Sequence, residues 1–211
     1  MIFLAVKRFG AEESADISLP EFITRENSDY INEISSKKSV KGRAQSLIGL
    51  SILSSLLGDL WEENEAPIIK RDKNSRPYIE NCDRIDFNIS HSDSLVVCAV
   101  ATAENGAAKP RIGVDAEEMS QKDRIGLAER FFAEGEKEEL RRSDNKPLLF
   151  AKLWTRKEAY IKWLGTGLAT PLSSFDITKE LPVRLETFNM DGNVITVCAD
   201  SSLFPIRIIK K

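Results

Sequence analysis

The segment GVDAE (113–117) places two carboxylates, Asp115 and Glu117, two positions apart. On a strand that spacing sends both side chains to one face. Adjacent carboxylates repel, so on a buried face they need a cation between them, and hard oxygen donors of this kind suit Mg²⁺. Solvated acids on an exposed strand edge are the other reading, and the neighbouring Glu118 is compatible with it. In LWTRKEAYIKWLG (153–165), Trp154, Glu158 and Lys162 recur at i, i+4 and i+8 and share one helical face. Lys157 beside Glu158 adds a second ammonium, and the Trp154 ring could wall a site. An ordinary helix ion pair between Glu158 and Lys162, contributing roughly 0.3–0.5 kcal/mol, would need no such site. A third carboxylate facing Asp115 and Glu117 would instead complete a Mg²⁺ site that leaves positions for phosphate oxygens and water.

Basic residues cluster elsewhere. Lys37, Lys38, Lys41 and Arg43 stand at the start of a long helix, where the macrodipole disfavours cations unless an anion binds there. Lys70, Arg71, Lys73 and Arg76 surround a turn before Pro77. Solvated surface charge is the alternative for both sets. His91, the single histidine, lies between Ser90 and Ser92 at a strand end, as a hydrogen-bonded structural residue or as a phosphate contact. No spacing assigns a Ser/His/Asp triad, and neither a Walker loop nor a dinucleotide glycine fingerprint is present.

The elements that must position these groups follow from periodicity. Val40, Ala44, Leu47, Ile48 and Ile52 predict a helix over 36–57. PIIKRDKNSRPYIE (67–80) reads as two short extended pieces around a turn. In IDFNIS, Ile85, Phe87 and Ile89 alternate with Asp86, Asn88 and Ser90, and the apolar run 95–101 completes a hairpin. Residues 102–111 read as a linker, IGVDAE as a strand, 122–132 as a helix, and another helix begins near Gly135. Asp144 or Asn145 can cap a helix that carries Pro147 in its first turn and stops at Gly165. The tail reads as strands in SSFDIT, VRLETF, NVITVCAD and FPIRII.

The hairpin DFNISHSDSLVVCAV resembles ETFNMDGNVITVCA, with the Phe-Asn pairs 101 positions apart and the Val-Cys-Ala triplets 100 apart. Each follows a long helix, which points to duplication, the alternative being that β-hairpins look alike. The expected fold is therefore α+β, two similar helix-plus-antiparallel-sheet halves, 1–105 and 106–211, related by a pseudo-twofold axis.

Composition narrows the class. Lys and Arg total 30 against 33 Asp and Glu over 211 residues, a formal charge of −3, with 42% hydrophobic and 30% charged residues. Such a chain is too apolar for a disordered tail, too polar for a membrane bundle, and lacks the basic excess of a dedicated nucleic-acid binder. The apolar N-terminus MIFLAV precedes Lys7 and Arg8, the reverse of a secretory signal. The stretch 47–57 falls short of the roughly 20 residues a membrane span needs. Three cysteines, Cys82, Cys98 and Cys198, have no Cys-x-x-Cys spacing, and Cys98 and Cys198, each inside an apolar run, read as reduced core residues in a cytoplasmic protein.

FNISHS (87–92), GVDAE (113–117), FFAEGEKEEL (131–140) and WTRKEAYIKWLGTGL (154–168) occur in the order seen in 4′-phosphopantetheinyl transferases, and length and duplication look like the two-domain, surfactin-type class. The resemblance covers about 38–171. It implies transfer of the phosphopantetheine arm of coenzyme A to a serine of an apo acyl or peptidyl carrier protein by a monomer, with release of adenosine 3′,5′-bisphosphate. By the same resemblance Asp115, Glu117 and Glu158 hold Mg²⁺, Glu158 takes the serine proton, and Lys162 and Lys157 are catalytic. Arg43, Arg76, Ser90, His91, Asp115, Lys157 and Lys162 are the implied coenzyme A contacts, with the basic N-terminal half holding the nucleotide. Ser75 stands where the family usually has glycine, and Ala116 where a larger aliphatic residue is common. A non-catalytic coenzyme A or nucleotide-binding module and a Mg²⁺-dependent phosphohydrolase are the rival readings.

Overall fold

The computed structural model describes residues 1–10, 17–104, 106–120 and 124–210. In chain order the elements are β1 (Ile2–Arg8), α1 (Glu21–Thr24), α2 (Ser28–Ser35), α3 (Val40–Leu60), β2 (Ile69–Arg71), β3 (Pro77–Ile79), β4 (Ile85–His91), β5 (Leu95–Thr102) and β6 (Ile112–Glu118). They continue as α4 (Ile125–Phe131), α5 (Glu134–Arg142), α6 (Lys146–Leu164), β7 (Arg184–Met190), β8 (Asn193–Ala199) and β9 (Ile206–Lys210). One sheet has the order β4-β5-β1-β9 and another β6-β8-β7, with β2 and β3 a separate hairpin.

The expected α+β class holds, and the two halves repeat one topology. A strand, a long helix and a hairpin follow in that order in each, and the first strand pairs antiparallel with the second strand of the hairpin, β1 with β5 and β6 with β8. Hydrophobic pattern explains the layering. Every residue of β5 from Leu95 to Ala101 is buried, the continuous run expected where both faces of a strand are covered. Val96, Cys98 and Val100 face the cluster of α3 with Ile48 and Leu53. Leu95, Val97, Ala99 and Ala101 face the other sheet through Ile112, Val114, Ile195 and Val197. Cys198 lies on the outer face of that sheet with Ala159 of α6. The two sheets thus share an apolar layer, with α3 and α6 outside it. Cys98 and Cys198 occupy matching positions, buried and unpaired as expected.

Local chemistry sets the helix ends. The first long helix begins at Val40 rather than 36, because Ser39 Oγ accepts the Gly42 N–H at 3.1 Å and so acts as the N-cap. α6 begins where Asn145 Oδ1 accepts the Leu148 N–H at 3.2 Å and ends at Gly165, whose φ of 68° is left-handed. Two helices before α3 were not expected from the sequence, and SSFDIT forms no strand, its first two residues ending a short 3₁₀ turn, Leu172–Ser174. The expected start of a helix at Lys122 lies outside the described residues, as does Asn105 at the expected division between halves. The final strand departs from that division: β9 pairs parallel with β1 in the N-terminal sheet. No helix among the described residues is long and apolar enough to cross a membrane.

Candidate active site

β6 is the edge strand of its sheet, and its free edge faces β4. Unpaired backbone groups on a buried edge must be satisfied, and here side chains do it. Asp86 Oδ2 accepts the Ile112 N–H at 2.9 Å, Asn88 Oδ1 accepts the Val114 N–H at 2.9 Å, and Lys162 Nζ donates to Val114 O at 3.1 Å. The polar alternation of β4 is therefore buried in a seam between the halves.

The candidate site continues that seam. Asp115, 7% exposed, accepts from Ser90 Oγ at 2.9 Å and from Lys162 Nζ at 2.8 Å, while Lys162 Nζ also donates to Ser90 Oγ at 2.9 Å. Glu117 pairs with Arg124, whose guanidinium lies 5.5 Å from the centre of the Phe150 ring. Glu158 stands one helical turn before Lys162 and has no hydrogen-bond or ion-pair partner among the described residues. Burial, and then the nearby Asp115 and Glu117 charges, push its carboxyl above the usual range, against the lowering influence of Lys162.

Three carboxylates therefore act on one another, and only two have a cation of their own. Among the described residues, no three His, Cys, Asp or Glu side chains gather tightly enough to hold a metal ion as they stand, since Asp115 and Glu117 turn to Lys162 and Arg124. In donor chemistry the set does fit a hard divalent cation: it is all oxygen, with excess negative charge at Glu158.

A cleft of about 630 Å³ opens beside the cluster, between the N-terminus of α3 and the end of β6, lined by Lys41, Gln45, His91, Glu117, Glu118 and Arg124 among others. Gln45 Nε2 donates to Ser92 O at 2.7 Å and holds the β4–β5 turn against α3. Burial lowers the His91 pKa, and the ammonium groups of Lys162, Lys37 and Lys41 lower it further, while Asp115 opposes them. The cleft thus sets the imidazole beside Lys41 and Arg124, cations suited to phosphate, with Asp93, Glu117 and Glu118 on the same lining.

Residues 111–198 match the model of the 4′-phosphopantetheinyl transferase superfamily. The chain is 37% identical over 144 residues to the 4′-phosphopantetheinyl transferase gsp of Aneurinibacillus migulanus, covering 67% of this chain but 56% of gsp. It is 32% identical over 178 residues to the 4′-phosphopantetheinyl transferase ffp of Bacillus subtilis, covering 76% of each. The chain belongs to the 4′-phosphopantetheinyl transferase superfamily. The transferase Sfp of Bacillus subtilis strain 168 is 27% identical over 205 residues, covering 85% of this chain and 88% of Sfp.

In this superfamily member, Asp115, Glu117, Glu158, Lys162, Ser90 and His91 come together, and four other expected groups point elsewhere. Lys157 is fully buried on the far side of α6, where its ammonium donates to Glu136 Oε1 at 2.5 Å and Phe175 O at 2.7 Å and lies 4.4 Å from the Phe175 ring centre. It is therefore a packing group, because adjacent helix positions face about 100° apart. The Trp154 ring stacks on Phe150 at 5.8 Å and meets Phe131 edge-on instead of walling the site. Arg43 Nη1 donates to the carbonyls of Lys37 and Lys38, at 2.6 and 3.4 Å, and so braces the loop before α3. Arg76 is drawn into the seam by Asp86, its Nη2 lying 2.6 Å from Asp86 Oδ2. Ser75 keeps a left-handed backbone, φ 64°, despite its side chain.

Sequence reasoning missed Glu136, Arg124 and Asp86. Glu136 accepts from Lys157, from Ile177 N at 2.8 Å and from Ala133 N at 2.8 Å, and both members of the Glu136–Lys157 pair are fully buried. Lys157→Met is accordingly expected to destabilise the fold by about 3–5 kcal/mol, because it strands the Glu136 charge in the core. Urea unfolding measures it, and a change under 1 kcal/mol would show that Glu136 finds another partner.

Proposed function

We propose that this chain transfers the 4′-phosphopantetheine arm of coenzyme A to a serine hydroxyl of an acyl or peptidyl carrier protein, with Mg²⁺, and releases adenosine 3′,5′-bisphosphate. The observation that carries the proposal is the meeting of Asp115, Glu158 and Lys162 with Ser90 beside a cleft that also holds His91. Membership of the superfamily supports it. The carrier serine oxygen bonds to the phosphorus next to the pantetheine, the bond from that phosphorus to the bridging pyrophosphate oxygen breaks, and the serine proton leaves. Glu158, which has no hydrogen-bond or ion-pair partner among the described residues, would take that proton. Lys162 contributes a positive charge where the departing phosphate gains negative charge. Asp115, Glu117 and Glu158 would hold Mg²⁺, which when bound neutralises pyrophosphate charge.

The nucleotide phosphates would lie in the cleft against His91 and Lys41. A single chain carries both halves, in keeping with action as a monomer, and three buried unpaired cysteines fit the cytoplasm. Incubation of the purified chain with coenzyme A, Mg²⁺ and an apo-carrier tests the reaction: the carrier gains the mass of one phosphopantetheine, and binding without mass gain would leave only a coenzyme A-binding module. The phosphate contact has its own test, because the chain has a single histidine. Phosphate beside the ring favours imidazolium, so saturating coenzyme A raises the His91 pKa, read from the ring NMR resonances against pH. An unchanged titration curve would remove His91 from the phosphate site.

A further inference from the structure

We infer that Arg76 is a positioning residue that, with Asp86, locks the end of α6 and the start of β6 across the seam and so fixes where Lys162 and Asp115 stand relative to Ser90. The inference rests on the reaction proposed above for its assay, but its grounds are geometric. An arginine has five N–H donors in a fixed plane, and here protein acceptors engage them all. Nε donates to the backbone carbonyl of Lys162 at 3.2 Å. Nη1 donates to Asp86 Oδ1 at 3.0 Å and Pro77 O at 3.3 Å. Nη2 donates to Asp86 Oδ2 at 2.6 Å and Ile112 O at 2.9 Å, with Phe87 O at 3.4 Å. The Arg76 and Asp86 side chains are 10% and 4% exposed. No donor is left over for a phosphate.

The partners belong to both halves. Asp86, Phe87 and Pro77 lie on the N-terminal side, Ile112 and Lys162 on the C-terminal side. Asp86 takes the Ile112 N–H while Arg76 takes the Ile112 carbonyl, so the pair serves that residue as a neighbouring strand would. Three residues further along β6 is Asp115, and the Lys162 residue whose carbonyl Arg76 holds sends its ammonium to Asp115. The turn that carries Arg76 grips the same helix end a second time, with Asn74 Nδ2 donating to Gly165 O at 2.8 Å. Asp72 Oδ1 fixes the turn by accepting from Asn74 N at 2.8 Å and Arg76 N at 3.0 Å.

A positioning role and a direct contact with coenzyme A make opposite predictions. In steady-state transfer with wild-type chain as control, Arg76→Ala lowers kcat by about 10²-fold, the order of loss that a displacement near 1 Å produces, and leaves KM for coenzyme A within about threefold. Asp86→Asn gives the same pattern, and the double variant falls no further than the weaker single one, because both break one device. Arg76→Lys does not recover kcat, since one ammonium cannot span six acceptors. Thermal unfolding is followed in parallel; if Arg76→Ala does not fold, the volume-preserving Arg76→Lys and Asp86→Asn decide the matter. The inference is overturned if Asp86→Asn is as active as wild type, or if Arg76→Lys restores activity and Arg76→Ala raises KM for coenzyme A with kcat intact. A wild-type chain without transfer activity would instead overturn the proposed reaction.

Discussion

Asp115→Ala is expected to lower transfer by about 10³-fold or more while leaving the fold intact. Asp115 is the point where the seam, the lysine and the carboxylate cluster meet: it accepts from Ser90 and Lys162, and its charge acts on Glu158. Its removal takes away one of the three carboxylates that would hold the proposed cation, frees Lys162 from its place, and lets the Glu158 carboxyl fall back toward its ordinary range. Each change removes stabilisation from the step in which charge develops, and loss of a single preorganised electrostatic partner already costs about 10²–10³-fold in rate. Stability should change little, because Lys162 is 27% exposed and its ammonium can turn to water. Initial rates of carrier modification and a thermal melt check both halves of the expectation. A variant that keeps a tenth of wild-type rate would remove Asp115 from the machinery.

Gly113→Ala is expected to be the most damaging small substitution in the site, and to act on the fold. A Cβ at Gly113 would collide with the backbone carbonyl oxygen of Ala159 and come within 2.6 Å of the Trp163 backbone nitrogen. Both belong to α6, so the whole helix must retreat from β6. Overpacking that only backbone movement can relieve costs about 3 kcal/mol or more, which lowers Tm by roughly 6–12 °C in a chain of this size. Gly49→Ala is the control. Its Cβ would come within 2.6 Å of Ile89 Cγ2, a side chain that can shift, so its loss should be clearly smaller. Equal Tm values for the two variants would show that α6 is not pinned against β6 by this contact.

The same contact shows how far the sequence could be read. GVDAE was legible as paired carboxylates because strand alternation needs only two residues, but the demand for glycine at 113 comes from a helix some 46 positions later. The hairpin repeat was legible because both copies keep their apolar alternation, and the shared topology of β4-β5-β1 and β7-β8-β6 follows. Helical spacing put Glu158 and Lys162 on one face correctly, and put Trp154 there too, because periodicity does not register that Phe131 and Phe150 offer the ring an aromatic partner. Lys157 and Arg76 are coenzyme A contacts only by family resemblance, and their charge alone leaves a buried ion pair equally open. Their buried acids, Glu136 and Asp86, are distant in sequence and carry no local signal, although the polar alternation of Asp86, Asn88 and Ser90 marked a face that needed a partner.

The central claim is that the seam-bound cluster catalyses transfer to a carrier protein. It is tested most directly by mass spectrometry of an apo-carrier incubated with the wild-type chain, coenzyme A and Mg²⁺, with adenosine 3′,5′-bisphosphate followed in the same mixture. The predicted result is one phosphopantetheine on the carrier serine for each bisphosphate released, and neither product when chelator is added. Cleavage of coenzyme A without a modified carrier, or no change in either molecule across a panel of acyl and peptidyl carriers, would contradict it.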